Sequence, residues 1–171
     1  MRRVFLILSL ILLPLFASAQ QFSFGYFSYD QVLHAMPDYI IAEHNLNDLQ
    51  AKYDAEAKRV EDEFNSKYEE FLDGQKDFAP AILEKRQAEL RDLMEKNIAF
   101  RENSKKLLDQ AKKDAYAPLN DKINAALKNL AKTMGLAFVL NKDNNTVPYV
   151  DEALGHDLTA QLETLLKQPA N

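Results

Sequence analysis

From Tyr39 to Leu72, apolar or small residues recur at Ala42, Leu46, Leu49, Tyr53, Ala57, Val60, Phe64, Tyr68 and Phe71, in steps of three and four. The mean step, about 3.6, is the period of an α-helix. It lies nearer an eleven-residue repeat than a heptad, so it predicts straight or slightly right-handed pairing rather than a tight left-handed zipper. The stripe is narrow and its surroundings are charged, so this helix packs on few neighbours. At 1.5 Å per residue it is about 50 Å long.

A second helical run extends from about Ala81 to Met134. Its stripe is looser: Leu83, Leu90, Leu93, Met94, Ile98, Leu107, Leu108, Ala111, Ala115, Leu119, Ile123, Leu127, Leu130 and Met134. Pro118 falls inside it. An interior proline costs about 3 kcal/mol and forces a kink or break, which reads as the joint where an arm leaves a body. Between the runs lies FLDGQKDFAP, residues 71–80. Gly74 suits the left-handed residue that closes a helix, and Pro80 suits the first turn of the next. So short a connection implies an antiparallel hairpin.

The flanks change period. Phe22, Phe24 and Tyr26 alternate with smaller residues and predict a strand. Asp30 is placed to cap a short helix, QVLHAM, which Pro37 ends or redirects. Gly135 ends the second long helix. LAFVLNKDNNTVPYV then reads as strand, polar turn and strand, a β-hairpin whose second strand Pro148 demotes to an edge or bulge. Asp157 is placed to cap LTAQLETLLKQ, where Leu158, Leu162, Leu165 and Leu166 make one apolar face.

The predicted fold is mainly α with a small β part. A long antiparallel helical-hairpin arm, coiled-coil-like and covering 46–114 with its tip near 73–80, projects from a β-containing body of residues 20–45 and 115–171. A body with three strands per chain is marginal alone. Strand edges and apolar surface around Phe22, Phe24, Tyr26, Phe138 and Leu140 are left over, so several chains are expected to share one core.

Composition agrees with long helices: 27% charged, 47% hydrophobic, four glycines and no tryptophan. There is no cysteine, hence no disulfide and no thiolate chemistry. MRRVFLILSLILLPLFASAQ has the form of an export signal: Arg2 and Arg3, an apolar run too short to span a bilayer, then Ala17-Ser18-Ala19. Residues 1–19 are expected to be removed after Ala19, leaving a soluble exported chain that starts at Gln20. Losing Arg2 and Arg3 takes the net charge from −5 to about −7. An acidic chain is a poor nucleic-acid ligand. The charge is uneven, with five basic and ten acidic residues in 46–77 against nine and seven in 84–114. An antiparallel pair of these segments attracts, though each exposed ion pair contributes only about 0–1 kcal/mol.

Catalytic patterns are missing. His34, His44 and His156 share no metal-ligand spacing. Glu61, Asp62 and Glu63 read as a solvated helix face, and Asp143-Asn144-Asn145 lacks the Gly and Glu of a calcium loop. There is no phosphate-binding glycine loop, no nucleophile elbow and no plausible carboxylate pair. No enzyme activity, cofactor or metal is expected.

Three stretches, FGYFSYDQVLHAMPDY, YAPLNDKINAALKNLAKTMGLAFVLN and DLTAQLETLLK, in this order and with this arm length between them, resemble the Skp (OmpH-like) family of periplasmic chaperones. The resemblance covers nearly all of the mature chain. It implies a homotrimer with a shared β-body and three helical arms around a cavity. It further implies an ATP-independent holdase for unfolded outer-membrane β-barrel proteins, with peripheral contact with a membrane. The chain departs from the family in charge: familiar members are basic, and this one is acidic, so lipopolysaccharide binding and capture of acidic clients are not carried over. The competing reading is an exported coiled-coil protein that spaces or tethers parts of the envelope. Within the chaperone reading, Phe71, Leu72 and Phe78 at the tip either contact clients or pack on one another to close the turn.

Overall fold

A computed structural model describes residues 23–167. The expected signal segment, its cleavage after Ala19, and Phe22 lie outside the described residues. The elements run β1 (Phe24–Phe27), α1 (Tyr29–Ala35), α2 (Pro37–Gly74), α3 (Pro80–Met134), β2 (Val139–Asn141), a 3-10 turn (Asp143–Asn145), β3 (Gly155–Asp157) and α4 (Thr159–Leu166). The fold is mainly α with a small β part, as expected. Two compact units divide at Val32/Leu33 and Lys122/Ile123: residues 33–122 form one, and the segments on either side form the other.

In the flanking unit, β1 is the central strand of a three-stranded sheet in the order β2-β1-β3. Both pairings are parallel, Tyr26 standing opposite Leu140 on one side and Asp157 on the other. The predicted hairpin of residues 136–150 is therefore absent, and Pro148 lies in no strand. The polar run that mimicked a hairpin turn has another task. Asn141 Oδ1 accepts the amides of Tyr29 (3.3 Å) and Asp143 (3.1 Å), and Asp143 Oδ2 accepts that of Asp30 (2.8 Å). Asn144 and Asn145 take φ of 54° and 56°, a left-handed conformation that asparagine tolerates better than most residues. The run thus holds the start of α1.

The cap of α1 also differs from expectation. Ser28 Oγ accepts the amide of Gln31 (3.2 Å), so Ser28 is the cap and Asp30 sits inside the first turn. Tyr26, Phe27, Val32, Ile123, Leu158 and Leu162 are the buried apolar side chains here. Gly25 lets them close up: a Cβ there would stand 2.9 Å from Leu158 Cδ1 and 3.0 Å from Leu136 Cδ1. Gly135, at φ 66°, ends α3 with paired bonds from Leu136 N to Ala131 O (2.9 Å) and Gly135 N to Lys132 O (3.3 Å).

Asp157 ties β3 to α4. Its Oδ1 accepts the Thr159 amide (2.9 Å) and its Oδ2 accepts Lys142 Nζ (3.0 Å). Partial burial pushes this carboxyl up, but the hydrogen bonds from Thr159 and Lys142 outweigh it and hold the group below its ordinary value. A depressed carboxyl contributes stability above its unfolded pKa and loses it as pH falls through the folded one. Acidification from about pH 5 to 3 is therefore expected to lower the melting temperature of the native protein more than that of Asp157→Asn. Equal slopes for the two would count against this linkage.

In the unit 33–122, α2 and α3 run antiparallel, as the pairs Asp38–Lys122, Glu43–Tyr116, Tyr53–Phe100 and Glu61–Arg101 show. The α2 stripe is as predicted except that Tyr68 is exposed, and α2 contains no buried residue. The α3 stripe needs correction. Met94, Ile98 and Leu107 are exposed, and Asn97, Phe100 and Ser104 take the seam instead. Asn97 Nδ2 donates to Val60 O (3.0 Å), and Ser104 is buried. Nor does Pro118 break the helix: α3 runs through it from Pro80 to Met134. The proline removes the donor for the Asp114 carbonyl, but Asp114 and Pro118 are both exposed, so solvent can serve that oxygen.

Candidate functional site

At the tip, α2 ends in a right-handed residue, Gln75 at φ −57°, whose amide donates to Phe71 O (2.9 Å). Gly74 is not left-handed, contrary to expectation. Its lack of a side chain serves packing: a Cβ there would stand 2.5 Å from Phe78 Cζ. The Phe78 ring folds back over Gly74 and meets Phe71 with centroids 6.3 Å apart. Pro80 opens α3, as expected. Phe71 and Phe78 are half-buried, while Leu72 stands 43% exposed. The two rings thus close the turn between them, and Leu72 alone of the three projects into solvent. Phe71→Ser with Phe78→Ser is expected to fray the helix ends, since such a ring pair contributes about 0.5–1.5 kcal/mol beyond its buried area. Faster amide exchange at residues 71–83 would register this, and Leu72→Ser should leave those rates unchanged.

At the other end of the pair, Tyr116 Oη donates to Glu43 and its ring lies 5.8 Å from that of Tyr39. Tyr39 Oη meets His34 Nε2 at 3.2 Å. Burial first, then the Glu43 carboxylate, pushes the Tyr116 hydroxyl well up, so it stays a hydrogen-bond donor. This cluster is suited to clamping helices rather than to moving protons. Beside it an open groove of about 490 Å³ is lined mainly by Ile41, Ala42, Leu46, Leu49, Ala111, Ala115 and Pro118.

Among the described residues, no three His, Cys, Asp or Glu side chains converge in a way that could hold a metal. His44 pairs with Asp48 on an exposed face (3.3 Å), and His156 lies on β3. No helix among the described residues is long and apolar enough to cross a membrane. The body residues expected at an oligomer contact divide. Phe24 and Phe138 stack with centroids 5.6 Å apart, and Phe138 remains 40% exposed. Leu140 is half-buried, whereas Tyr26 is already covered within one chain. Tyr149, Leu154 and Leu165, not singled out as contacts from the sequence, are also exposed here. The charge-rich context of Tyr149 and Leu154 and the helical spacing of Leu165 gave no separate signal for them.

The arrangement offers extended, lightly packed helix surface with large apolar side chains in water. The described residues show no enclosed catalytic constellation. A family model described as outer membrane protein (OmpH-like) matches residues 23–166. Among solved structures, the fold is similar to that of a candidate outer membrane chaperone (OmpH-like) from Caulobacter crescentus CB15. The TM-score is 0.71 at 13% identity, covering 84% of this chain and 83% of that one. No curated protein matches in sequence.

Proposed function

The chain belongs to the OmpH-like outer membrane protein family, and we propose that it is a periplasmic, ATP-independent holdase for unfolded outer-membrane β-barrel proteins. It acts as a homo-oligomer, a trimer by family resemblance, whose helical arms enclose the client. Its first residues direct export and are cleaved after Ala19.

The observation that carries this reading is the thin packing of the helical pair. α2 has no buried residue, and Ile40, Ile41, Tyr68, Leu72, Ile82, Met94, Ile98 and Leu107 all stand more than 40% exposed. An unfolded barrel protein presents many apolar segments and no single epitope. Holding it calls for many weak contacts, each easily lost, so that release needs no fuel. Sparse apolar side chains on a surface dense in charge supply such contacts, and low local packing permits the arms to move apart. The other unit supports the self-association. Among the described residues its buried set is small, Phe138, Tyr149, Leu154 and Leu165 face solvent, and β2 and β3 each keep one unpaired edge.

Size-exclusion chromatography with light-scattering detection tests the reading. A urea-unfolded barrel protein diluted into the mature chain should elute as a soluble complex of one client with one oligomer, with or without ATP. A client that passes into the void volume as aggregate, leaving the oligomer peak unchanged, would reject it.

A further inference from the structure

The two long helices are not equivalent on their two sides. On α2, Glu61, Tyr68 and Leu72 are spaced seven and four apart and share one face; on α3, Met94, Ile98 and Arg101 do the same at four and three. Arg101 Nη2 reaches Glu61 Oε2 at 2.6 Å across the pair, which places both faces on the same side of the seam. Tyr68, Leu72, Met94 and Ile98 are 44%, 43%, 47% and 52% exposed. The register set by Tyr53–Phe100 and Val60–Asn97 puts Met94 about 8–14 Å from Tyr68 along the axis, so the four form one staggered strip about 20–25 Å long.

The opposite side is built differently. Arg59 is bound there by Glu56 and Glu63, and Arg86 by Glu89. Its exposed apolar residues, Ile41, Leu107 and Ile82, are spread over about 50 Å, and none has another exposed apolar residue of that side three or four places away on its own helix.

We propose that the side bearing Tyr68, Leu72, Met94 and Ile98 is the surface that grips an extended, unfolded polypeptide; this rests on the holding function above. The occupant is an apolar-alternating segment that carries carboxylates. Residues four apart on a helix rise about 6 Å, close to the roughly 6.7 Å between alternate side chains of an extended chain. Met94 and Ile98, or Tyr68 and Leu72, therefore meet successive apolar side chains of one strand-like segment. Charge complements this. Arg91 and Lys105 lie one heptad before and after Ile98 on the same line of α3, and neither is in an ion pair among the described residues. Glu95 and Glu102 point farther round, toward the outer surface. Carboxylates of a bound segment fall within reach of the two free cations.

The test compares two double variants matched in exposure, Met94→Ser with Ile98→Ser and Ile82→Ser with Leu107→Ser. The probe is a fluorophore-labelled, urea-unfolded barrel protein titrated with each. The first pair is expected to weaken binding about tenfold or more, and the second less than about twofold. Equal losses, or a larger loss for the second pair, overturn the proposal. So does a change in oligomer mass confined to the first pair with binding intact, which assigns the strip to contact between copies. A native chain that binds no client at all rejects the holding function itself, and is distinguished by failing before any substitution is made. A photo-cross-linking residue at position 94 or 82 of the otherwise native chain gives the second readout. Client adducts at 94 and not at 82 are expected, and the reverse overturns the proposal whatever the serine variants do to folding.

Discussion

Leu162→Ala is expected to cost about 2–5 kcal/mol, the range for emptying a fully buried leucine site. Leu162 and Leu158 are both 0% exposed, and they share the interior of their unit with few other apolar side chains: Tyr26, Phe27, Val32 and Ile123. The strands are too short to hold themselves. β2 and β3 have three residues each, and β1 has four. Their order therefore depends on α4 and on the end of α3 covering the sheet. The approach is close, with Leu158 N donating to Tyr26 O at 2.8 Å over a glycine that has no room for a methyl group. With so small an interior, a loss of this size is a large share of the whole. Urea titration followed by circular dichroism should show the midpoint fall with little change in slope. Leu165→Ala, half exposed on the same helix, should leave the midpoint nearly unmoved. Under the proposed self-association it lowers oligomer mass instead.

Pro118→Ala acts in the opposite direction. Because α3 continues through Pro118, the native helix lacks the bond from residue 118 to the Asp114 carbonyl and carries the pyrrolidine ring against it. Alanine restores the bond and has the best helix propensity, so the variant is expected to gain about 1–3 kcal/mol and melt several degrees higher. The gain falls short of the full proline penalty to the extent that exposure already relieves it and that the ring contributes apolar surface to the groove it lines with Ile41, Ala42 and Leu46. A lower melting temperature would mean that this packing, or a bend it stabilises, outweighs the lost hydrogen bond.

The long helices were legible because their signals are local. Pro37 and Pro80 open α2 and α3, Gly135 closes α3, and the α2 stripe between them is nearly regular. The sheet was not legible, because pairing depends on distance in the chain. Gly25 pairs with Val139, and Tyr26 with Asp157, across more than a hundred residues, and nothing near Val139 says that its partner is Gly25. The nearby Asn/Asp run and Pro148 suggested a local hairpin in its place. Gly74 was misread for a related reason: glycine at a helix end usually supplies a positive φ, and here it makes room for the Phe78 ring. On α3, hydrophobicity misled. Asn97 and Ser104 are polar yet lie at the seam, where they are hydrogen-bonded or buried, while Met94, Ile98 and Leu107 are apolar yet exposed. Strict three-and-four stepping from Leu90 through Leu93 reaches Asn97, Phe100, Ser104, Leu108 and Ala111 and would have separated the two sets. Of the three, Met94 and Ile98 belong to the exposed strip proposed to grip clients, and Leu107 lies on the opposite side.

The most direct test of the holding function dilutes a urea-unfolded outer-membrane barrel protein into buffer with and without residues 20–171, and follows light scattering. Suppression at near-stoichiometric oligomer, unchanged by ATP and largely lost in the Met94→Ser, Ile98→Ser variant, is the predicted result. Aggregation that proceeds as in buffer alone, across several barrel proteins, would contradict it and leave an exported helical spacer as the better reading of the same fold.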